Sequence, residues 1–307
     1  FSHMTHEELV NWILCALLYV HRSGDKLWLK KNLSIFQRCL SSMMNRDHPE
    51  PALRNGIMGL DSSRCAGGSE ITTYDSLDTS LGQARNNLYL AVKSWACYVG
   101  LEALFQKVGR SKAARDCHQQ AARACTTLSA ALNPQGYIPA VIGEGVDSQI
   151  IPAVEGLVFP HLLGLPQALS EDGPYTPLIR ALKTHTRTVL QPGACLFPDG
   201  GLKLSSSSNN SWLSKIYLCQ FVIREVLRLP CASLMTQADR AHVAWLLHPQ
   251  ESYWAWSDQM ISGVASGSKY YPRGVTAILW LQESKKNKIL ITKPPDFPLR
   301  SPPGDLT

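Results

Sequence analysis

Apolar residues recur at helical spacing along most of the chain. The positions from Leu9 to Val20 and from Leu29 to Met43 fall three or four residues apart, which predicts two helices joined by a turn at Gly24. Strand patterns are few, so we expect an all-α protein. Further helices are predicted over residues 80–108, 111–132, 176–189, 210–229, 236–247 and 273–282.

The predicted helix over 80–108 is apolar on more than one side. Leu88, Val92 and Val99 share one face, and Tyr89 and Phe105 widen it. Such width implies burial against several neighbours. Short turns alternate with long loops between the helices, which favours a ring of helical hairpins with a functional face of loops. A toroid of six hairpins needs more helices than the sequence shows, so we expect an incomplete ring whose first helices are missing upstream.

Composition narrows the class of protein. Of 307 residues, 45% are apolar and 18% charged, which excludes a disordered chain. The net charge is 30 − 24 = +6 without a basic stripe, so no nucleic-acid partner is expected. We find no signal peptide and no apolar run of about 18 residues, which predicts a cytoplasmic protein with no membrane partner.

The cysteines and the two ends of the sequence add further expectations. Nine cysteines cannot all pair, and no Cys/His group has zinc spacing, which predicts a reducing compartment and no metal site. The first methionine is Met4, so we interpret the chain as a truncated segment. Residues 1–284 are predicted to form the helical domain, and residues 285–307, basic and then Pro-rich, a flexible tail.

The densest candidate chemistry lies in residues 70–78, where Glu70, Asp75 and Asp78 stand among hydroxyl side chains. Two carboxylates that face each other across a glycosidic bond are what glycoside hydrolysis requires. The simpler interpretation of Asp78 is an N-cap for the helix predicted from Ser80, because aspartate suits the helix dipole there.

Residues 71–78, with the sequence ITTYDSLD, and residues 81–91, with the sequence LGQARNNLYLA, resemble glycoside hydrolase family 52, the β-xylosidases. The Thr-Tyr-Asp core is also similar to the related family 116. Further similar segments are 150–157, 211–216 and 270–276. The resemblance implies an (α/α)6 barrel preceded by a β-sandwich, with Asp75 as general acid/base and no cofactor. It also implies that the glutamate nucleophile lies upstream of this chain.

Other polar residues have two interpretations each. Glu155 is either a ligand for sugar hydroxyls or a carboxylate at a helix N-terminus, and Asp258 either binds a hydroxyl or caps a turn. Trp212 could stack on a sugar ring or belong to the core. Arg273 resembles a sugar-contacting arginine of the related family, and is otherwise a surface or salt-bridge residue. With Thr73 and Tyr74, these four complete the predicted substrate-binding residues.

The resulting function is a retaining glycosidase that hydrolyses β-xylosides or similar β-glycosides, with a small saccharide as its partner. The alternative is a non-catalytic helical scaffold or a sugar-binding remnant of such an enzyme. An open ring would expose apolar helix faces, so a homo-oligomer is also expected.

Overall fold

A computed structural model describes residues 5–59, 78, 85–249 and 257–266. In these ranges the chain forms helices joined by loops, with one small sheet. The α-helices are α1 (Thr5–Ser23), α2 (Lys26–Asp47), α3 (Leu88–Lys107), α4 (Ser111–Ala130), α5 (Val158–Leu162), α6 (Thr176–Val189), α7 (Leu213–Phe221) and α8 (Ala232–Leu246). The strands are β1 (Asn210–Trp212), β2 (Gln259–Ile261) and β3 (Val264–Ala265).

The predicted all-α fold is confirmed for this part of the chain, and the helices over 111–132 and 176–189 lie where the periodicity places them. The helix predicted from Ser80 begins at Leu88 instead. Its cap is Asn87, whose side chain accepts a hydrogen bond from the Leu90 amide at 3.2 Å. The prediction that Asp78 caps this helix is therefore wrong. The toroid itself and the domain limits stay predictions, and the helix predicted over 273–282 and the tail after 284 lie outside the described residues.

Helix α3 is the centre of the core. It packs against α1, α4 and a 3₁₀-helix at Ile151–Leu157, and its largest side chains, Trp95 and Tyr98 among them, are buried. By length and composition α3 could cross a membrane, but 89% of its apolar window is buried inside the protein, as in the central helix of a folded domain. Gly156 lies against it so closely that a Cβ would meet the Val92 carbonyl oxygen at 2.8 Å. Because of this close approach, Glu155, the residue before Gly156, lies beside α3.

A three-stranded antiparallel sheet, ordered β1-β2-β3, was not predicted. Asn210 pairs with Ile261 and Trp212 with Gln259, so the helix predicted from Asn210 begins three residues later, at Leu213. Strands of two and three residues carry too little alternation to be recognised in a sequence. The sheet matters because it attaches the segment before Gln259 to the start of α7.

Candidate functional site

Three of the predicted substrate-binding residues, from segments far apart in the sequence, meet at the first turn of α7. Trp212 is half-buried and directly precedes the helix. Asp258 accepts two hydrogen bonds from Ser214, from its amide at 2.8 Å and its hydroxyl at 2.9 Å. Glu155 forms an ion pair with Lys215 at 3.1 Å. Residues 212–215, hereafter the α7 turn, thus gather this part of the predicted site.

The sheet explains how Asp258 reaches the α7 turn. Because Trp212 pairs with Gln259, Asp258 falls beside Leu213, whose amide donates to the Asp258 carbonyl at 2.8 Å. The Asp258 carboxylate then accepts from the next amide, as an N-terminal cap does. Capping the turn is thus what Asp258 does in this structure, and binding a sugar hydroxyl stays a prediction for it.

Glu155 lies in the 3₁₀-helix, where it is buried against α3. Its carboxylate pairs with Lys93 at 2.7 Å as well as with Lys215. Burial opposes ionisation, but the charges and hydrogen bonds of the two lysines outweigh it and lower the pKa of Glu155 to about 2. Glu155 is therefore ionised at neutral pH, and its contacts are those of an ion-pair partner rather than of a helix cap.

The Tyr89 hydroxyl contacts the same two lysines. It accepts hydrogen bonds from Lys93 at 2.7 Å and from Lys215 at 2.5 Å, and it donates to Glu7 at 3.0 Å. Burial, together with the carboxylates of Glu155 and Glu7, raises the pKa of Tyr89 well above its usual value. The phenol therefore keeps its proton and can donate to Glu7. The charge cluster, as we call it, consists of Glu7, Tyr89, Lys93, Glu155 and Lys215.

Sequence reasoning missed Glu7, Tyr89, Lys93 and Lys215. One signal was available, because Lys93 is the sole charged residue between Leu88 and Leu101 in an otherwise apolar helix. A lysine there is buried and needs a carboxylate partner. The sequence does not say which carboxylate supplies it, since Glu155 lies 62 positions further along the chain.

Asp78 is buried, and its carboxylate accepts a hydrogen bond from the Ser207 hydroxyl at 2.5 Å. Ser207 belongs to the loop that leads into β1 and so to the α7 turn. A described residue of the ITTYDSLD motif thus contacts the segment next to that turn. The motif's Thr73, Tyr74 and Asp75 lie outside the described residues, as does Arg273.

Across the described ranges, no three His, Cys, Asp or Glu side chains come together as metal ligands would. At the α7 turn, the half-buried Trp212 and the partly exposed Lys215 lie next to the buried carboxylate of Glu155.

Comparison with known proteins finds two relatives. A β-xylosidase from Geobacillus stearothermophilus is 58% identical over 285 residues, which are 93% of this chain and 40% of that protein. A second β-xylosidase from the same organism is 44% identical over 136 residues, 44% of this chain and 22% of the relative. No family model matches. The similarity extends over nearly the whole chain and confirms the resemblance to the β-xylosidases of glycoside hydrolase family 52, while the likeness to family 116 stays a prediction.

Proposed function

We propose that this chain is part of a glycoside hydrolase that cleaves β-xylosides with retention. It spans 40% of the length of the first relative, which is named a β-xylosidase. The observation that carries the proposal is the meeting of Glu155, Trp212 and Asp258 at the α7 turn. Two segments of the family resemblance, 150–157 and 211–216, thus contact each other in the fold.

In this proposal Asp75 is the general acid/base and the nucleophile is a glutamate outside the 307 residues. Thr73, Tyr74, Trp212, Asp258 and Arg273 contact the sugar. A general acid needs a raised pKa, and a second ionised carboxylate nearby supplies it, because two close carboxylates resist ionising together. Trp212 offers an aromatic face to the sugar.

The test is Asp75→Asn in the full-length product of the gene. The variant keeps the shape of the side chain but has no proton to donate, so turnover of xylobiose should fall about 10²–10⁴-fold. An activated aryl β-xyloside has a leaving group that departs without a proton, so its first step should be affected little. Deglycosylation should slow, because the same residue acts as base, and azide should partly restore it.

The matched control is Asp78→Asn, three residues along the same motif. The amide oxygen can still accept from Ser207, so we expect nearly unchanged turnover. Loss of turnover in Asp78→Asn with normal turnover in Asp75→Asn would reverse the assignment. Xylobiose binding without hydrolysis by the wild type would favour the second candidate, a sugar-binding remnant, for which the 40% coverage of the relative is the supporting observation.

A further inference from the structure

The two lysines of the charge cluster differ in how completely their ammonium groups are used. Lys93 donates to Asn11 Oδ1 at 2.9 Å, to the Tyr89 hydroxyl at 2.7 Å and to Glu155 Oε1 at 2.7 Å. An ammonium group has three N–H donors, so all three are occupied. The side chain is 3% exposed. Lys93 is therefore enclosed within the fold.

Lys215 binds the same two partners from the other side, Tyr89 and Glu155. Among the described residues it has no third acceptor, so one of its N–H donors is left over. Its side chain is 16% exposed. Lys215 thus presents a donor at the edge of the cluster, while its other two hydrogen bonds hold the ammonium group in place.

An acceptor is also left over in the cluster. Glu7 Oε1 accepts from Tyr89, but Glu7 Oε2 is buried and accepts no hydrogen bond in the part of the chain that the structure describes. A buried carboxylate oxygen without a donor costs free energy, so the described residues leave the charge cluster incompletely satisfied. The spare donor of Lys215 is on the partly exposed side chain of the cluster. A hydroxyl group accepts as well as donates, so it can take the hydrogen bond that Lys215 offers.

We propose that Lys215 donates a hydrogen bond to a hydroxyl group of the bound sugar, and that Glu155 is the residue that positions Lys215. This assignment rests on the proposed function, and it changes the role of Glu155 from sugar ligand to support. Glu155 is enclosed by Lys93 and Lys215. The lysine, whose side chain is partly exposed, makes the contact in its place.

The test is the steady-state hydrolysis of xylobiose and of an aryl β-xyloside by Lys215→Met in the full-length product of the gene. Removing a charged donor to a sugar hydroxyl should lower kcat/KM about 10-fold or more. Lys215→Arg, which keeps a charged donor, should recover part of that loss. Glu155→Gln should raise KM for both substrates more than it lowers kcat, because it frees the lysine without touching the reacting atoms.

The control is Lys183→Met. Lys183 is 19% exposed and forms an ion pair with a single glutamate, Glu171, so it matches Lys215 in exposure and in type of contact. We expect its kinetics to equal those of the wild type. Unchanged kcat and KM in both Lys215→Met and Lys215→Arg, with an active wild type, would overturn this inference and leave the proposed function standing. A wild-type protein without any xyloside cleavage would overturn the proposed function, and this inference with it.

Discussion

Two buried carboxylates stabilise this protein in different ways. Glu155 is paired with two lysines and lies next to a side chain that reaches solvent. Asp47, at the end of α2, is equally buried but accepts its hydrogen bonds from neutral donors: the amides of Asn55 and Gly56 at 2.9 and 2.7 Å, and Gln120 Nε2 at 2.9 Å. We call these four residues the Asp47 hub.

The Asp47 hub attaches a loop to a helix. Gly56 has a φ of +92°, and a Cβ there would lie 2.2 Å from the Ala124 amide nitrogen, so the loop approaches α4 as closely as a backbone can. Every donor to the carboxylate is neutral: two are amides of this loop, and the third is the Gln120 side chain on α4. The charge cluster instead gathers residues from α1, α3, α7 and the 3₁₀-helix. It also leaves a donor and an acceptor unused.

The difference indicates how a supporting carboxylate can be distinguished from one beside a binding site. A carboxylate whose hydrogen-bond donors are all neutral, such as Asp47, serves the fold. A buried ion pair costs desolvation free energy, so it adds little net stability compared with apolar residues packed in its place, although removing one partner alone is strongly destabilising. The presence of Glu155 and its lysines therefore needs another explanation. The proposed sugar contact of Lys215 supplies one.

The largest expected effect is on stability, in Lys93→Met. Removing one partner of a buried ion pair leaves charge uncompensated, so the free energy of unfolding should fall by about 3–5 kcal/mol. Urea denaturation at pH 7 measures it. The double variant Lys93→Met/Glu155→Gln should lose less than the sum of the single variants, because both charges are gone. Strict additivity would mean that the two side chains are not coupled.

Acid should weaken the charge cluster in a defined pH range. The pKa of Glu155 is lowered from 4.5 to about 2 in the folded protein, so its contribution is complete above pH 4.5 and is lost as the pH falls toward 2. The shift corresponds to about 3 kcal/mol. The stability difference between the wild type and Glu155→Gln, from urea titrations, should be constant above pH 4.5 and shrink below it.

Three buried histidines affect the wild type and Glu155→Gln alike. Burial lowers the pKa of His185 and of His242 to about 4, and burial, with the charge of Arg46, lowers the pKa of His6 to about 3. Each histidine favours the folded state fully above pH 6.5 and loses that contribution as the pH falls toward its lowered pKa. Both proteins should therefore lose stability over this range, while the difference between them stays constant. A difference that already shrinks between pH 6.5 and 4.5 would contradict the lowered pKa of Glu155.

A smaller loss of stability is expected from a substitution in the Asp47 hub. Asp47→Ala leaves two backbone amides and the Gln120 side chain without their acceptor, which should cost about 2 kcal/mol in urea denaturation. Xyloside KM should not change in the folded variant. An altered KM would place the hub within the site and remove the distinction between the two regions.

The smallest loss of stability is expected from a substitution at the first turn of α7, which Asp258 caps. Ser214→Ala removes the hydroxyl bond to Asp258 at 2.9 Å but keeps the amide bond at 2.8 Å, so the loss should be about 1 kcal/mol. Chemical denaturation of the variant beside the wild type checks this. A loss as large as that of Lys93→Met would mean that Asp258, rather than Glu155, stabilises the α7 turn.

Sequence periodicity predicted most of the helices, because the spacing of apolar residues along the chain follows the repeat of the helix itself. It placed the α3 start at Ser80 rather than at Leu88, because Asp78 offered a plausible cap and Asn87 was overlooked. For the site, residue chemistry selected Glu155, Trp212 and Asp258, the first two within segments of the family resemblance, and all three lie at the α7 turn. Their partners Lys93 and Lys215 were missed, because ion pairing across the fold leaves no spacing signal. The roles in catalysis and in sugar binding stay predictions.

Hydrogen exchange of the full-length protein, followed by mass spectrometry with and without saturating xylobiose, tests most directly the claim that the α7 turn, and not the Asp47 hub, belongs to the sugar site. The account predicts slower exchange in peptides that cover residues 207–216 and 150–158. It predicts no change over residues 45–57 and 118–124, which carry the hub. Unchanged exchange at the α7 turn, or equal protection of the hub, would contradict it.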